Sequence, residues 1–226
     1  MIINFYKNIG ESMNQVISRL KKEYNINETI TYTGRLDPLA CGNIIFLTGN
    51  DIYKQEEFYN KSKIYKTNII HDIQTDSFDI LGLISSYNIF NNKYENIQNY
   101  EYQQEYPMFS SYKIKGKPLW YYYLNNIKID KIPSKKITLY DATKINEYKI
   151  TKNDLLDIIN NKLNLITDGN FRIDEIKHSW NNINKNNNLF TISQWKFTIS
   201  SGGFIRYLAN QMNGTCFDIE RLCYNI

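Results

Sequence analysis

Residues 31–43 read Thr31-Tyr32-Thr33-Gly34-Arg35-Leu36-Asp37-Pro38-Leu39-Ala40-Cys41-Gly42-Asn43. They set one carboxylate, Asp37, in a tight loop between Gly34 and Gly42, with Leu36 before it and the φ-locked Pro38 after it. An Asp-Pro pair by itself is most often a turn signal. Here the glycines permit a sharply folded backbone, and Leu36 and Leu39 can tie the loop to a core. A carboxylate that attacks a substrate needs that fixation, because orientation lowers a barrier only when it is set beforehand. The stretch therefore predicts a rigid catalytic loop wedged between elements of a mixed fold.

Working outward, residues 12–24 predict an amphipathic helix with Met13, Val16, Ile17 and Leu20 on one face. Ser12 and Gln15 have the spacing of a capping box. After the loop, residues 44–48 read as a buried strand ending at Gly49, and residues 63–71 as a second strand rich in β-branched side chains. A short strand is expected around residues 80–85. Residues 87–104 carry poor signals and read as a surface connection with a short helix. Residues 138–149 look β-rich. Residues 154–165 and 172–180 predict helices, with Leu155, Ile158, Ile159 and Leu163 on the first and Ile173, Ile176 and Trp180 on the second. Residues 190–200 read as a strand, broken by Gly202-Gly203 before a helix over 204–212. Strands mixed with helices and no internal repeat imply an α+β fold.

Composition narrows the class. A chain of 226 residues with 42% hydrophobic residues builds one fairly large domain, with or without a small appendage. No apolar run is long enough to span a bilayer. The first motif starts so close to Met1 that no signal or transit peptide is expected, which predicts a soluble, cytoplasmic protein. The net charge of +4 is mildly basic and spread along the chain, compatible with an RNA partner. Cys41, Cys216 and Cys223 have neither metal-ligand spacing nor an even disulfide count, and His71 and His178 stand alone. No zinc site, no phosphate-cradling loop and no cofactor are expected. The weight of Asn, Ile, Lys and of 19 Tyr reflects an AT-rich genome, and Asn-rich residues 181–188 read as surface loop.

Four more segments fall in an order that carries information. Tyr65 lies in Lys63-Ile64-Tyr65-Lys66. Asp79 lies in Thr75-Asp76-Ser77-Phe78-Asp79-Ile80-Leu81-Gly82. Arg206 closes Ser200-Ser201-Gly202-Gly203-Phe204-Ile205-Arg206. Residues 106–119 join aromatic and basic side chains, among them Lys113, Lys115 and Lys117. Each has an ordinary reading: a strand tyrosine, a turn acid, a surface arginine, a solvated hairpin. Together with the Asp37 loop and Tyr6-Lys7-Asn8-Ile9-Gly10, they resemble the TruB-type tRNA pseudouridine synthases. The matching family patterns run roughly K-P-x-G, G-H-T-G-x-L-D-P-x-A-x-G, K-x-Y, T-D-T-x-D-x-x-G, Q-x-P-P-x-Y-S-A-x-K-x-x-G-x-x-L and C-S-x-G-T-Y-I-R.

The resemblance implies a pseudouridine synthase fold, with a long central mixed, largely antiparallel sheet flanked by helices. It implies that Asp37 initiates isomerisation of uridine in the T loop of tRNA, at position 55, without metal or organic cofactor. Tyr65 would lie against the target uracil, and Asp79 would hold the uracil edge or Tyr65. Arg206 would pair with Asp37, since a guanidinium grips both oxygens and stays charged. Lys7, Lys113, Lys115 and Lys117 would face RNA. The T arm of tRNA is the expected partner, and a monomer the expected state.

The chain also departs from the pattern. Tyr32 stands where the family commonly has a histidine that contacts the flipped nucleotide, and Asn8 where it has proline. Residues of about 150–188 read as a helical insertion. The chain, this insertion included, is expected to form a single catalytic domain over 1–226, without the C-terminal RNA-binding module of many relatives. Two other readings use the same scaffold. One is a non-catalytic tRNA-binding or RNA-folding protein. The other is a guide-RNA-dependent synthase related to dyskerin.

Overall fold

The computed structural model describes residues 1–87, 96–183 and 188–224. Twelve strands and six helices follow in chain order: β1 (Ile2–Lys7), α1 (Met13–Tyr24), β2 (Ile30–Tyr32), β3 (Ala40–Thr48), α2 (Gln55–Asn60), β4 (Lys63–His71), β5 (Ile73–Thr75), β6 (Ile84–Tyr87), β7 (Ile97–Glu105), β8 (Lys113–Ile114), β9 (Lys117–Pro118), α3 (Leu119–Leu124), β10 (Ser134–Thr151), α4 (Lys152–Asn164), α5 (Ile173–Asn181), β11 (Leu189–Ile199), α6 (Ile205–Gln211) and β12 (Gly214–Tyr224). A 3₁₀ turn over Gly49–Lys54 joins β3 to α2.

Eight strands make the main sheet, in the order β1-β3-β12-β4-β11-β10-β7, with β2 pairing β3 off that path. Only the β3–β12 pair is parallel among these; the others are antiparallel. The fold is therefore α+β with a mixed, largely antiparallel sheet, as expected. The run 44–48 is buried throughout because β3 is a central strand covered on both sides, which removes the apolar–polar alternation of a half-exposed strand. Helix α1 begins as its sequence predicts: the Ser12 hydroxyl accepts from the Gln15 amide and the Gln15 side chain accepts from the Ser12 amide.

Among the described residues, two large cores flank this sheet, and a small cluster of Ile45, Leu47 and Tyr224 adds a third. One gathers Val16 and Leu20 of α1, Ile44 and Phe46 of β3, Trp195 and Phe197 of β11, and Ile205 of α6. The second gathers Leu155, Ile159 and Leu163 of α4 and Ile176 and Trp180 of α5 against Ile70, Phe190, Ile192 and Phe217. The segment expected to be inserted is thus built into the molecule rather than hung from it. Lys162 Nζ donates to the Phe217 carbonyl at 3.0 Å, and Trp180 Nε1 donates to the Gly82 carbonyl at 3.2 Å.

Several expectations need correction. Residues 97–105 form strand β7, not a connection with a short helix; residues 88–95 of that stretch lie outside the described residues. Its alternation was illegible because β7 is an edge strand whose side chains are nearly all exposed; Gln104 alone is fully buried. The strand expected at 80–85 is displaced to β6, because residues 79–82 turn inward, with the Asp79 carboxylate accepting the Leu81 amide. β12 and α3 were not expected. Part of the Asn-rich stretch, residues 184–187, also lies outside the described residues. Among the described residues, no helix is long and apolar enough to cross a membrane.

Candidate active site

The loop of residues 33–39 leaves β2 and enters β3 under restraint from several sides. Leu36 and Leu39 are buried, anchoring it as expected. Lys7, at the end of β1, sends Nζ to the carbonyls of Asn8 (3.1 Å), Pro38 (3.0 Å) and Ala40 (2.7 Å). The Gly10 amide donates to the same Pro38 carbonyl at 2.9 Å. Lys7 is wholly buried, so it is a strut of the loop and not an RNA-facing cation as expected. Burial pushes its pKa down to about 8 against the opposing pull of Glu11 and Asp37.

A residue that sequence reasoning missed holds the other side. Arg221 of β12 is buried, and it donates through Nε to the Asn43 carbonyl (2.7 Å) and through Nη2 to the Gly34 carbonyl (3.1 Å). One guanidinium thus ties both ends of the loop. Backbone and side chain of Arg221 explain the two motif glycines: a Cβ on Gly42, at φ +122°, would lie 2.2 Å from the Arg221 carbonyl oxygen, and one on Gly34, at φ +111°, 3.3 Å from Arg221 Nη1. The available signal was an arginine at an inward position of the alternating run Phe217, Ile219, Arg221.

Helix α6 carries Arg206 in its first turn, after the Gly202 turn. Its Nε donates to Asp37 Oδ2 at 2.8 Å, and Nη2 lies 3.5 Å from Asp37 Oδ1. Nη1 donates to the Ser77 carbonyl and Nη2 to the Phe109 carbonyl, each at 2.9 Å. The arginine side chain is 2% exposed and the aspartate 28%, so the free face of the carboxylate opens into a cleft. Burial alone would lower the Arg206 pKa; the carboxylates of Asp37 and Asp79 outweigh it and raise it.

Asp79 lies in the same cleft, buried, where its Oδ1 accepts the Ser77 hydroxyl (2.6 Å) and the Leu81 amide (3.0 Å). Ser77 and Leu81, rather than Tyr65, engage it. Burial and the neighbouring Asp37 push its pKa up to about 6, against the pull of Arg206. Tyr65 is buried in β4, with the charges of Arg221 and Asp37 nearby. Burial raises its pKa, so the phenol stays un-ionised. Tyr32 packs against Phe46 and accepts from Arg35 Nη2 at 3.2 Å.

The cleft has a volume of about 540 Å³, and Asp37, Asp79, Arg206, Phe109, Trp120 and Phe171 line it. That is the size of a nucleotide-scale site. Beside it, β8 and β9 make a two-residue hairpin turning at Lys115 and Gly116, both at positive φ as such a turn requires. Lys113, Lys115 and Lys117 are exposed there, and Lys117 Nζ sits 4.8 Å above the Tyr121 ring. Among the described residues, no group of three or more His, Cys, Asp or Glu side chains is placed to hold a metal ion.

The model of the TruB family pseudouridylate synthase N-terminal domain matches residues 21–158. The chain is 35% identical over 150 residues to tRNA pseudouridine synthase B of Mycoplasma mycoides, covering 63% of this chain and 50% of that protein. It is 34% identical over 153 residues to the Mycoplasma capricolum protein of that name, covering 64% and 51%. With the Malacoplasma penetrans protein of that name it shares 29% identity over 203 residues, covering 76% and 86%. The chain spans about half the length of the first two relatives. Its fold matches a chain in the crystal structure of a Cbf5-Nop10-Gar1 complex, with a TM-score of 0.52 and 13% identity over 99% of this chain and 48% of that one. The chain belongs to the TruB family of pseudouridylate synthases.

Proposed function

We propose that the chain converts uridine to pseudouridine in the T loop of tRNA, at position 55, acting in the cytoplasm as a monomer. One observation carries the reading: Arg206 grips Asp37 at 2.8 Å, while the carboxylate's other face opens into a nucleotide-sized cleft. The target base is stacked in a folded loop, so it must be flipped out, at a cost of a few kcal/mol. Asp37 then starts cleavage of the N1–C1′ glycosidic bond, as nucleophile or as a base on the sugar. The freed uracil turns within the cleft and rejoins C1′ through C5. The C5 proton leaves to a base or water and N1 takes up a proton, which restores the aromatic ring and balances the isomerisation.

The remaining groups follow from their surroundings. Arg206 keeps Asp37 oriented, through Nε and Nη2 set against its two carboxylate oxygens. Tyr65, un-ionised beside Asp37, confines the base. Asp79 lines the cleft next to the pair and supports its shape through Ser77 and Leu81. Tyr32 takes the place of the family histidine by stacking, with Arg35 on its hydroxyl. The hairpin cations Lys113, Lys115 and Lys117, interleaved with aromatics, offer phosphate and base contacts to the T arm.

The test is to incubate the protein with an unmodified tRNA transcript, derivatise pseudouridine with carbodiimide, and map reverse-transcription stops. A single stop at position 55 is expected without added guide RNA. No stop, or a stop that requires a guide, would overturn the reading.

A further inference from the structure

Arg172 lies at the end of the loop joining α4 to α5, in the segment the sequence marks as an addition to the family pattern. Its Nη1 lies 3.0 Å from Asp76 Oδ2. The Tyr123 hydroxyl of α3 donates to the same oxygen at 3.2 Å, and Asp76 Oδ1 accepts the Leu83 amide at 2.9 Å. The guanidinium stacks over the Phe109 ring at 4.5 Å from its centroid. The Arg172 and Asp76 side chains are 19% and 10% exposed, so this cation is spent on internal contacts rather than offered to a phosphate.

The two residues that Arg172 holds are the ones that matter to the catalytic pair. Phe109 provides the carbonyl that accepts Arg206 Nη2, and Ser77, the neighbour of Asp76, provides the one that accepts Arg206 Nη1. Both carbonyls fix the plane of the Arg206 guanidinium, and its remaining edge fixes Asp37. Arg172 therefore grips both segments that grip Arg206, one through its charge and one through its flat face. An arginine suits this double task because it pairs in plane and stacks on an aromatic face at once.

We propose that Arg172 is a positioning residue for the Asp37–Arg206 pair, supplied by the α4–α5 segment. It clamps the 76–77 turn to the 109 arm and so holds the two carbonyls in register. The proposal rests on the function proposed above for its kinetic arm, and on geometry alone for its spectroscopic arm.

The experiment compares wild type with Arg172→Gln, Asp76→Asn, the double variant and Arg172→Lys. Three quantities are read: the single-turnover rate on saturating tRNA transcript, the Kd for that transcript, and the exchange of the Arg206 Nε proton by ¹⁵N NMR. The expected result is a rate lowered by about tenfold to a hundredfold in each of the first two variants, with Kd within about twofold of wild type. The double variant should be no slower than the worse single one, since both remove one clamp. Arg172→Lys should rescue only part of the rate, because it keeps the charge and loses the stacking. In the free protein, the Arg206 Nε proton should exchange faster in both single variants.

Wild-type rates in these variants, or weakened binding with an unchanged saturating rate, would overturn the proposal. So would Arg206 exchange equal to wild type. A wild-type protein without synthase activity would defeat the proposed function instead and leave the NMR comparison to decide the clamp.

Discussion

The Arg206 guanidinium faces three partners: the Asp37 carboxylate and the carbonyls of Ser77 and Phe109. An almost sealed cation is tolerable only when its donors are matched in this way. Arg206→Ala removes the cation and leaves both carbonyls and Asp37 unmatched; we expect loss of measurable isomerisation, checked by the mapped reverse-transcription stop. Asp79 makes a separate prediction. Its folded pKa, about 6, lies above the ordinary 3.8, so between those values the folded protein holds a proton that the unfolded chain has released. Its contribution is therefore present on the acid side and lost as pH rises through about 6. Asp79→Asn removes that dependence. In urea unfolding, the stability of the variant minus that of wild type should rise from about pH 4 to about pH 6 and then level off. A flat difference across that window would contradict the assignment. The residue chemistry was legible in the sequence for Asp37 and Arg206, whose motifs specify backbone as well as side chain. It was not legible for Lys7 or Arg221, because the Pro38 and Ala40 carbonyls that Lys7 meets, and the Gly34 and Asn43 carbonyls that Arg221 meets, lie far along the chain and only the sheet brings them near.

At the scale of elements, the parallel contact of β3 with β12 decides where the loop can go. Gly42 pairs with Arg221 across that contact. A methyl group there would stand 2.2 Å from the Arg221 carbonyl oxygen, and the backbone is already at φ +122°. Gly42→Ala should therefore pry the two central strands apart and cost more than about 3 kcal/mol, combining strain with overpacking. The check is a denaturant midpoint; a shift equivalent to under 1 kcal/mol would mean that the strands yield easily. The elements that the sequence foretold are those with periodicity and caps: α1 with its Ser12–Gln15 box, β4 with its alternation, α4 and α5 with their apolar stripes. Strand β7 escaped because exposure on an edge erases alternation, and α3 because Trp120 and the tyrosines beside it keep much of their surface in solvent. Long-range pairing, not local propensity, also makes a strand of residues 214–224, which bond to β3 on one side and β4 on the other.

Across the whole molecule, the sheet brings together pieces of chain separated by 169 positions, Asp37 and Arg206, at one cleft. The order of the motifs announced that meeting, because the family resemblance carries topology that no single segment encodes. What it could not announce is how the α4–α5 segment closes the second core and sends Phe171 and Arg172 to the cleft wall. That placement depends on packing peculiar to this chain. The basic, aromatic hairpin of β8 and β9 comes between Ser111 and Trp120, two residues of the cleft wall, and its exposed lysines are the cations proposed above to meet the RNA.

The most direct test of the account is release of tritium from tRNA transcript labelled at uridine C5, comparing wild type with Asp37→Asn and adding no guide RNA. The account predicts release of one label per tRNA by wild type, and none by Asp37→Asn at unchanged tRNA affinity. Equal release by the two proteins, or tight binding by wild type with no release, would contradict it.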